Sequence, residues 1–146
     1  MRRYVIYLLD KEVAHNYCGK EEKLYQLFLE AQNKISPYNS IVKKQIKYIT
    51  NEIPVPYLHH VILTELNDQL HSYEKEKSYE IFIEENNSRA VLITEKNYLS
   101  LYAYGSCEAE SVFFEALRKF EPSFLAIDFK HSNYGWLNPI KRENLV

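Results

Sequence analysis

Residues 79–104 have the sequence YEIFIEENNSRAVLITEKNYLSLYAY, and this stretch decides the fold class. Three runs in it, at 79–83, 90–94 and 98–104, are rich in β-branched and aromatic residues. Short segments rich in Asn, Ser, Glu and Lys, which are typical of turns, separate them. Connections this short join antiparallel neighbours, so the stretch predicts a three-stranded antiparallel meander.

The third run also predicts which side of the sheet faces the core. It alternates between Leu99, Leu101 and Ala103 on one side and Tyr98, Ser100, Tyr102 and Tyr104 on the other. Successive side chains of a strand point to opposite faces, so the apolar set is expected in the core. The tyrosines are then expected at the surface or beneath the C-terminal segment.

After the meander, the sequence predicts a helix and a buried strand. Gly105 and Ser106 open the helix, which runs to Phe120, and its acidic first turn and basic last turn match the helix dipole. Pro122 ends it. The apolar run 124–129 is then expected to form a strand in the core.

Before the meander, the chain predicts one strand and four helices. The strand, 4–9, is continuously apolar and is expected to be covered on both faces. The helices are expected at 11–18, 20–34, 41 to 49 or 50 with Ser40 as N-cap, and 56–70, and a loop at 71–77. The whole chain, residues 1–146, is therefore predicted to be a single α+β domain. Its mixed or antiparallel sheet would have about five strands packed with about five helices.

The C-terminal stretch 134–146, YGWLNPIKRENLV, is too apolar for a free tail. It is expected to pack on the domain, with Trp136 and Leu137 as anchors. Gly135 is expected at a backbone turn that a Cβ would obstruct, and Asn138-Pro139 at a second turn.

Composition limits the classes of function. The net charge is −2, whereas proteins that grip nucleic acid usually carry a positive excess, so no direct nucleic-acid contact is expected. Two distant Cys, Cys18 and Cys107, form no CxxC motif and are expected to be reduced thiols in a cytoplasmic protein. No signal peptide or membrane span is predicted.

The sequence offers no catalytic or metal motif. It lacks GxxxxGK[ST], GxGxxG and HExxH patterns. His59 and His60 would point about 100° apart on a helix, so they could not share one metal unaided. Cys107 is expected to be a small buried thiol. The chain is therefore predicted to be no enzyme, with no cofactor, metal or small-molecule substrate.

Two residue pairs predict a protein-binding patch. Val13 and Tyr17 lie four apart on the first helix, and Gln45 and Tyr48 lie three apart on the third, away from its core stripe. If these helices pack side by side, the pairs form one surface with aromatics at its centre, which is the usual anatomy of a binding hot spot. Alternatively, the tyrosines are buried in the core.

Lys43, Lys44 and Lys47 lie beside this patch, and three interpretations remain open. They could be a solvated helix face, phosphate contacts of a helix-turn-helix, or a complement to an acidic protein partner. The connector around Pro37 does not resemble a tight helix-turn-helix turn.

Five strings make the chain resemble a known family. They are YGWLNP at 134–139, AESVFFE at 109–115, FLAIDF at 124–129, QIKYIT at 45–50 and EVAHNY at 12–17. They resemble, in order, the sporulation inhibitor of replication protein SirA family of endospore-forming bacteria. The similarity spans nearly the whole chain, closest in its C-terminal third and weakest at about 58–88.

The resemblance implies a non-enzymatic inhibitor of chromosomal replication initiation during sporulation. Such proteins bind the N-terminal domain (domain I) of the initiator DnaA and block its productive assembly at the origin. Carried over by residue, the family's binding surface implies Val13, Tyr17, Gln45 and Tyr48. Position 13 departs from the family, where an aromatic can stand. The alternative function is a repressor that binds origin DNA directly.

Overall fold

The computed structural model describes residues 1–138, which form an antiparallel sheet with helices on both faces. In chain order the elements are β1 (Arg2–Leu9), α1 (Lys11–Asn16), α2 (Glu21–Gln32), α3 (Asn39–Ile49), β2 (Thr50–Asn51), α4 (Val55–Leu66), β3 (Ser72–Glu74), β4 (Ser78–Ile83), β5 (Ser88–Thr94), β6 (Leu99–Tyr104), α5 (Glu108–Phe120), β7 (Phe124–Asp128) and β8 (Asn133–Trp136). A single turn of 3₁₀ helix, Glu84–Asn86, joins β4 to β5.

The strands are ordered β3-β4-β5-β6-β1-β7-β8, and the short β2 also pairs with β1. The recorded pairs are antiparallel. The α+β class, the helix number and the meander at 79–104 are confirmed. The predicted strand number was too low, since the described residues contain eight strands rather than about five.

Strand β1 lies inside the sheet because its apolar residues are buried on both faces, as predicted. Ile6 and Leu8 point into a large core formed with α4 and α5. Leu9 points the other way, into a smaller core formed with α1 and α2. In the meander, Leu99 and Leu101 are buried in the large core and Ala103 is buried as well, while Tyr102 and Tyr104 lie on the opposite, more open face.

Several predicted boundaries were wrong for local reasons. The first helix ends at Asn16, because Gly19 takes a left-handed φ of 85° and the intervening residues form turns. The third begins at Asn39, so Ser40 is not its N-cap. The fourth ends at Leu66 and continues to Leu70 only as a turn. Part of the predicted loop at 71–77 is strand β3, since it pairs with β4.

The fifth helix begins at Glu108 and receives its N-terminal cap from a distant residue. Ser88 on β5 is fully buried; its Oγ accepts a hydrogen bond from Ala109 N at 2.9 Å and donates one to Ser106 O at 2.6 Å. Gly105, just before the helix, has φ +72° and a Cβ there would lie 1.8 Å from Asn87 O. Only glycine fits at position 105, because the chain there passes too close to the backbone of Asn87 for any side chain.

The described part of the C-terminal stretch is a strand. Ala126 pairs with Gly135 and Leu125 with Trp136, so β8 forms one end of the sheet path. The predicted turn at Gly135 was wrong, because this residue lies in extended pairing and a Cβ would meet no described atom within 4 Å. The predicted packing of Trp136 and Leu137 is confirmed. Trp136 packs against the smaller core and Leu137 against the large core. The rest of the segment, from Pro139, lies outside the described residues.

Candidate protein-binding groove

A helical hairpin of α2 and α3 covers one side of β1 and β7. The core side of α2 is held by Leu24, Tyr25 and Phe28, all buried. The two helices are fastened at their connection by Asn39, whose side-chain amide donates to Ala31 O at 3.0 Å and to Asn33 O at 3.1 Å. This ties the end of α2 to the start of α3 and sets the two helices side by side.

Between these helices and the end of α1 lies a groove, here called the α2–α3 groove, of ≈ 580 Å³. It is lined by Tyr17, Lys23, Leu24, Leu27, Ile41, Lys44, Gln45, Tyr48 and Ile49. Three of the four residues predicted from the sequence are therefore brought together. Val13 does not line the groove; it is half-buried and packs against the smaller core.

The aromatic and apolar side chains of this region are unusually exposed. Tyr48 is 87% exposed and Ile41 54% exposed, and Tyr17 is half-buried at the groove wall. Within residues 1–138 the Tyr48 ring stacks on no other ring and its hydroxyl makes no hydrogen bond. A large ring with no intramolecular partner is available to bury area against another molecule.

Further exposed apolar residues lie on the same hairpin, namely Leu29, Ile35 and Tyr38. Ile35 is 92% exposed and sits in the connector between α2 and α3.

The contribution of α2 to the groove does not follow from the sequence pattern. The apolar spacing of this helix predicts Leu24 and Leu27 in one buried stripe. Leu24 is buried, but Leu27 is half-buried and forms part of the groove wall together with Lys23. The available signal was weak, because a residue at the edge of an apolar stripe and one at its centre differ little in spacing.

The groove region is basic. Lys23 and Lys44 line it, and Lys43 and Lys47 lie on the same helix as Tyr48. Helix α3 contains no Asp or Glu. Within the described part of the chain none of these four lysines has a carboxylate oxygen within 4.0 Å, whereas Lys77, Lys96 and Lys119 are each paired with a glutamate.

A second groove, of ≈ 620 Å³, lies on the other side of α3. It is lined by Tyr7, Lys43, Ile46, Lys47, Thr50, Glu52, Asn97 and Tyr98. Glu52 is already engaged, with Lys96 Nζ 3.5 Å from its Oε1. Burial raises the pKa of Tyr7 to about 12, and the neighbouring Tyr98 acts in the same direction while Arg3 opposes it. Helix α3 is thus a basic ridge between two grooves.

The residues considered for catalysis have structural surroundings. His59 is buried, and its Nδ1 lies 2.6 Å from the hydroxyl of Tyr79. Burial raises the pKa of Tyr79 to about 12. Cys107 is exposed, so its predicted burial was wrong; it precedes the first turn of α5, where little packs over it. Among residues 1–138 no three His, Cys, Asp or Glu side chains form a group that could hold a metal.

No helix among the described residues is long and apolar enough to cross a membrane. An open groove with exposed aromatic side chains and a charged rim has the usual anatomy of a protein-binding surface. The chain belongs to the family described as sporulation inhibitor of replication protein SirA, whose model matches residues 2–141.

The chain is similar to the sporulation inhibitor of replication protein SirA of Bacillus subtilis (strain 168). The two are 36% identical over 152 residues, and the match covers 99% of each chain.

Proposed function

We propose that this protein inhibits the initiation of chromosomal replication during sporulation by binding domain I of DnaA in the cytoplasm. The family description supports the role in sporulation and replication. In this proposal residues 1–146 act as one domain without catalysis. Inhibition is steric, because covering a self-association or docking surface of the initiator prevents its ordered assembly at the origin.

The observation that carries the proposal is the convergence of Tyr17, Gln45 and Tyr48 on one groove. Tyr17 directly follows α1 and precedes Gln45 and Tyr48 of α3 by more than 25 positions, yet all three line the same surface. In the proposed interface the two tyrosines supply apolar contact area, and the Gln45 amide supplies both a donor and an acceptor.

Val13 has a different place in the proposed interface. Its side chain is half-buried against the smaller core beside the turn that carries Tyr17. A valine there offers less area than an aromatic, so in this chain Tyr17 and Tyr48 are proposed to contribute most of the contact area. Val13 is assigned to the rim of the interface.

The experiment is calorimetric titration of DnaA domain I with the protein and its variants. Tyr17→Ala and Gln45→Ala are each expected to weaken binding by about 1–3 kcal/mol. The matched control is Gln26→Ala, since Gln26 is exposed on α2 and does not line the groove. Unchanged affinity in both groove variants would mean that the interface lies elsewhere.

The alternative, a repressor that binds origin DNA directly, makes a different prediction. It requires retention of origin DNA in the absence of DnaA, with a steep dependence on salt. A gel-shift titration at low salt that shows no retained DNA would eliminate it.

A further inference from the structure

The basic character of α3 indicates what kind of surface the partner presents. We propose that the binding partner is an acidic protein surface that straddles α3, so that it contacts the second groove as well as the α2–α3 groove. This inference rests on the proposed function and adds the chemistry and extent of the contact.

The first support is the uncompensated charge of α3. Lys43, Lys44 and Lys47 lie within little more than one turn of a helix without acidic residues. None of them is paired with a carboxylate within residues 1–138, whereas Lys77, Lys96 and Lys119 are. Like charges this close repel one another, and an acidic partner would relieve the repulsion.

The second support is the position of the lysines relative to the grooves. Lys44 belongs to the α2–α3 groove, whereas Lys43 and Lys47 belong to the second groove. The basic side chains therefore point to both sides of the ridge. A partner confined to the α2–α3 groove would leave Lys43 and Lys47 unused.

The third support is the second groove itself. Tyr7 and Tyr98 form its aromatic wall, with ring centroids 6.0 Å apart, and Glu52 is turned toward Lys96. This aromatic wall, with unpaired lysines at the rim of the groove, suits an apolar side chain of the partner that is flanked by carboxylates. A nucleic acid would also bring negative charge, but the net charge of −2 works against it.

The proposal predicts electrostatic steering, which affects association more than dissociation. The test is stopped-flow association with DnaA domain I at salt concentrations between roughly 20 and 300 mM, where screening changes strongly. Lys43→Glu/Lys47→Glu is expected to lower the association rate constant about 10-fold at low salt and to flatten its salt dependence. Its dissociation rate constant is expected to change less.

The matched control is Lys75→Glu/Lys130→Glu, which makes the same change in net charge. Lys75 and Lys130 are exposed, have no carboxylate within 4.0 Å among the described residues, and lie in the hairpin loops at the two ends of the sheet. This control is expected to change association less than 3-fold. Thermal unfolding of both double variants checks that they remain folded.

The outcomes separate the two proposals. One outcome is that the wild-type protein binds and both double variants slow association to the same extent. Another is that it binds and neither variant slows association. Either outcome excludes an acidic partner surface across α3. If the wild type instead retains single-stranded or duplex DNA through Lys43 and Lys47 at about 150 mM salt, the partner is a nucleic acid and the inference fails. If the wild type does not bind domain I at the lowest salt, the proposed function fails and this inference fails with it.

Discussion

The two faces of the sheet are covered very differently. On one face α4 and α5 bury a large continuous core that includes Phe113, Ile62 and Leu101. On the other, α1, α2 and α3 cover mainly β1 and β7, and the smaller core there is bordered by two grooves. The closed face provides most of the apolar burial, whereas the open face keeps large side chains exposed. Stability and binding are thus expected to depend on different residues.

The largest expected effect comes from the closed face. Phe113 is fully buried in the large core, so Phe113→Ala should lower the free energy of unfolding by about 3–5 kcal/mol. Tyr48→Ala on the open face should change it by less than about 0.5 kcal/mol, because the ring is 87% exposed. Urea denaturation of the two variants measures both. Equal losses would show that the faces do not differ in this way.

A second prediction concerns the long-range cap of α5. Ser88→Ala removes the acceptor for the buried Ala109 N–H and should cost about 1–3 kcal/mol of stability. Ser111→Ala is the control, since Ser111 is exposed and its hydroxyl only donates to Cys107 O, four residues earlier in the chain. Thermal unfolding distinguishes them. A control as destabilised as Ser88→Ala would refute the cap.

The sequence was sufficient to predict those helices and strands that show a periodic pattern of apolar residues within their own length. Helical and strand periodicity located the five helices, β1, β7 and the meander, each within a few residues. It also selected Val13, Tyr17, Gln45 and Tyr48, because their helical spacing places them off the core stripes. The last three line the α2–α3 groove, whereas Val13 packs against the smaller core. The family resemblance selected the same residues independently.

The missed features depend on partners distant in the chain. Strands β2, β3 and β8 have two to four residues, too few for an alternating pattern, and exist because a neighbouring strand pairs with them. Ser88 caps a helix that begins twenty residues later, which helix-start rules based on adjacent residues do not consider. The second groove forms only when α3 packs beside Tyr98.

A third prediction concerns the pH dependence of stability, compared between one tyrosine on each face of the sheet. Tyr7 on the open face and Tyr79 on the closed face both have a pKa of about 12, above the ordinary value near 10. Folding therefore favours the neutral forms of both tyrosines and gains free energy from this preference. That contribution to stability is fully present below pH 10 and is lost as the pH rises toward 12. Tyr7→Phe should reduce the alkaline loss, by at most about 2 kcal/mol, with little change at pH 7.

Tyr79→Phe is the informative counterpart in the same titration. It removes the hydroxyl that lies 2.6 Å from His59 Nδ1, so it should lower stability at pH 7. Because Phe does not ionise, it should also reduce the alkaline loss, as Tyr7→Phe does. Denaturant unfolding between pH 7 and pH 12 records both variants. An alkaline loss that Tyr7→Phe leaves unchanged would mean that Tyr7 ionises equally easily in the folded and unfolded states.

A small effect on stability is expected at Gly135. Its Cβ position is open and its backbone is paired in β8, so Gly135→Ala should change stability by less than about 1 kcal/mol, in the stabilising direction. Gly105→Ala is the contrast, because there the Cβ would overlap Asn87 O and the fold should be strongly destabilised. A large loss at Gly135, seen by thermal unfolding, would mean that another part of the chain packs over it.

The central claim is that the open face binds the initiator while the closed face holds the fold. The most direct measurement is the dissociation constant for DnaA domain I of Tyr48→Ala beside Tyr57→Ala. Both residues are exposed helical tyrosines, but Tyr57 lies on α4 and its ring packs against Phe120. We expect Tyr48→Ala to weaken binding at least about 10-fold and Tyr57→Ala to leave it within about 2-fold. Equal affinities, or a loss confined to Tyr57→Ala, would contradict the account.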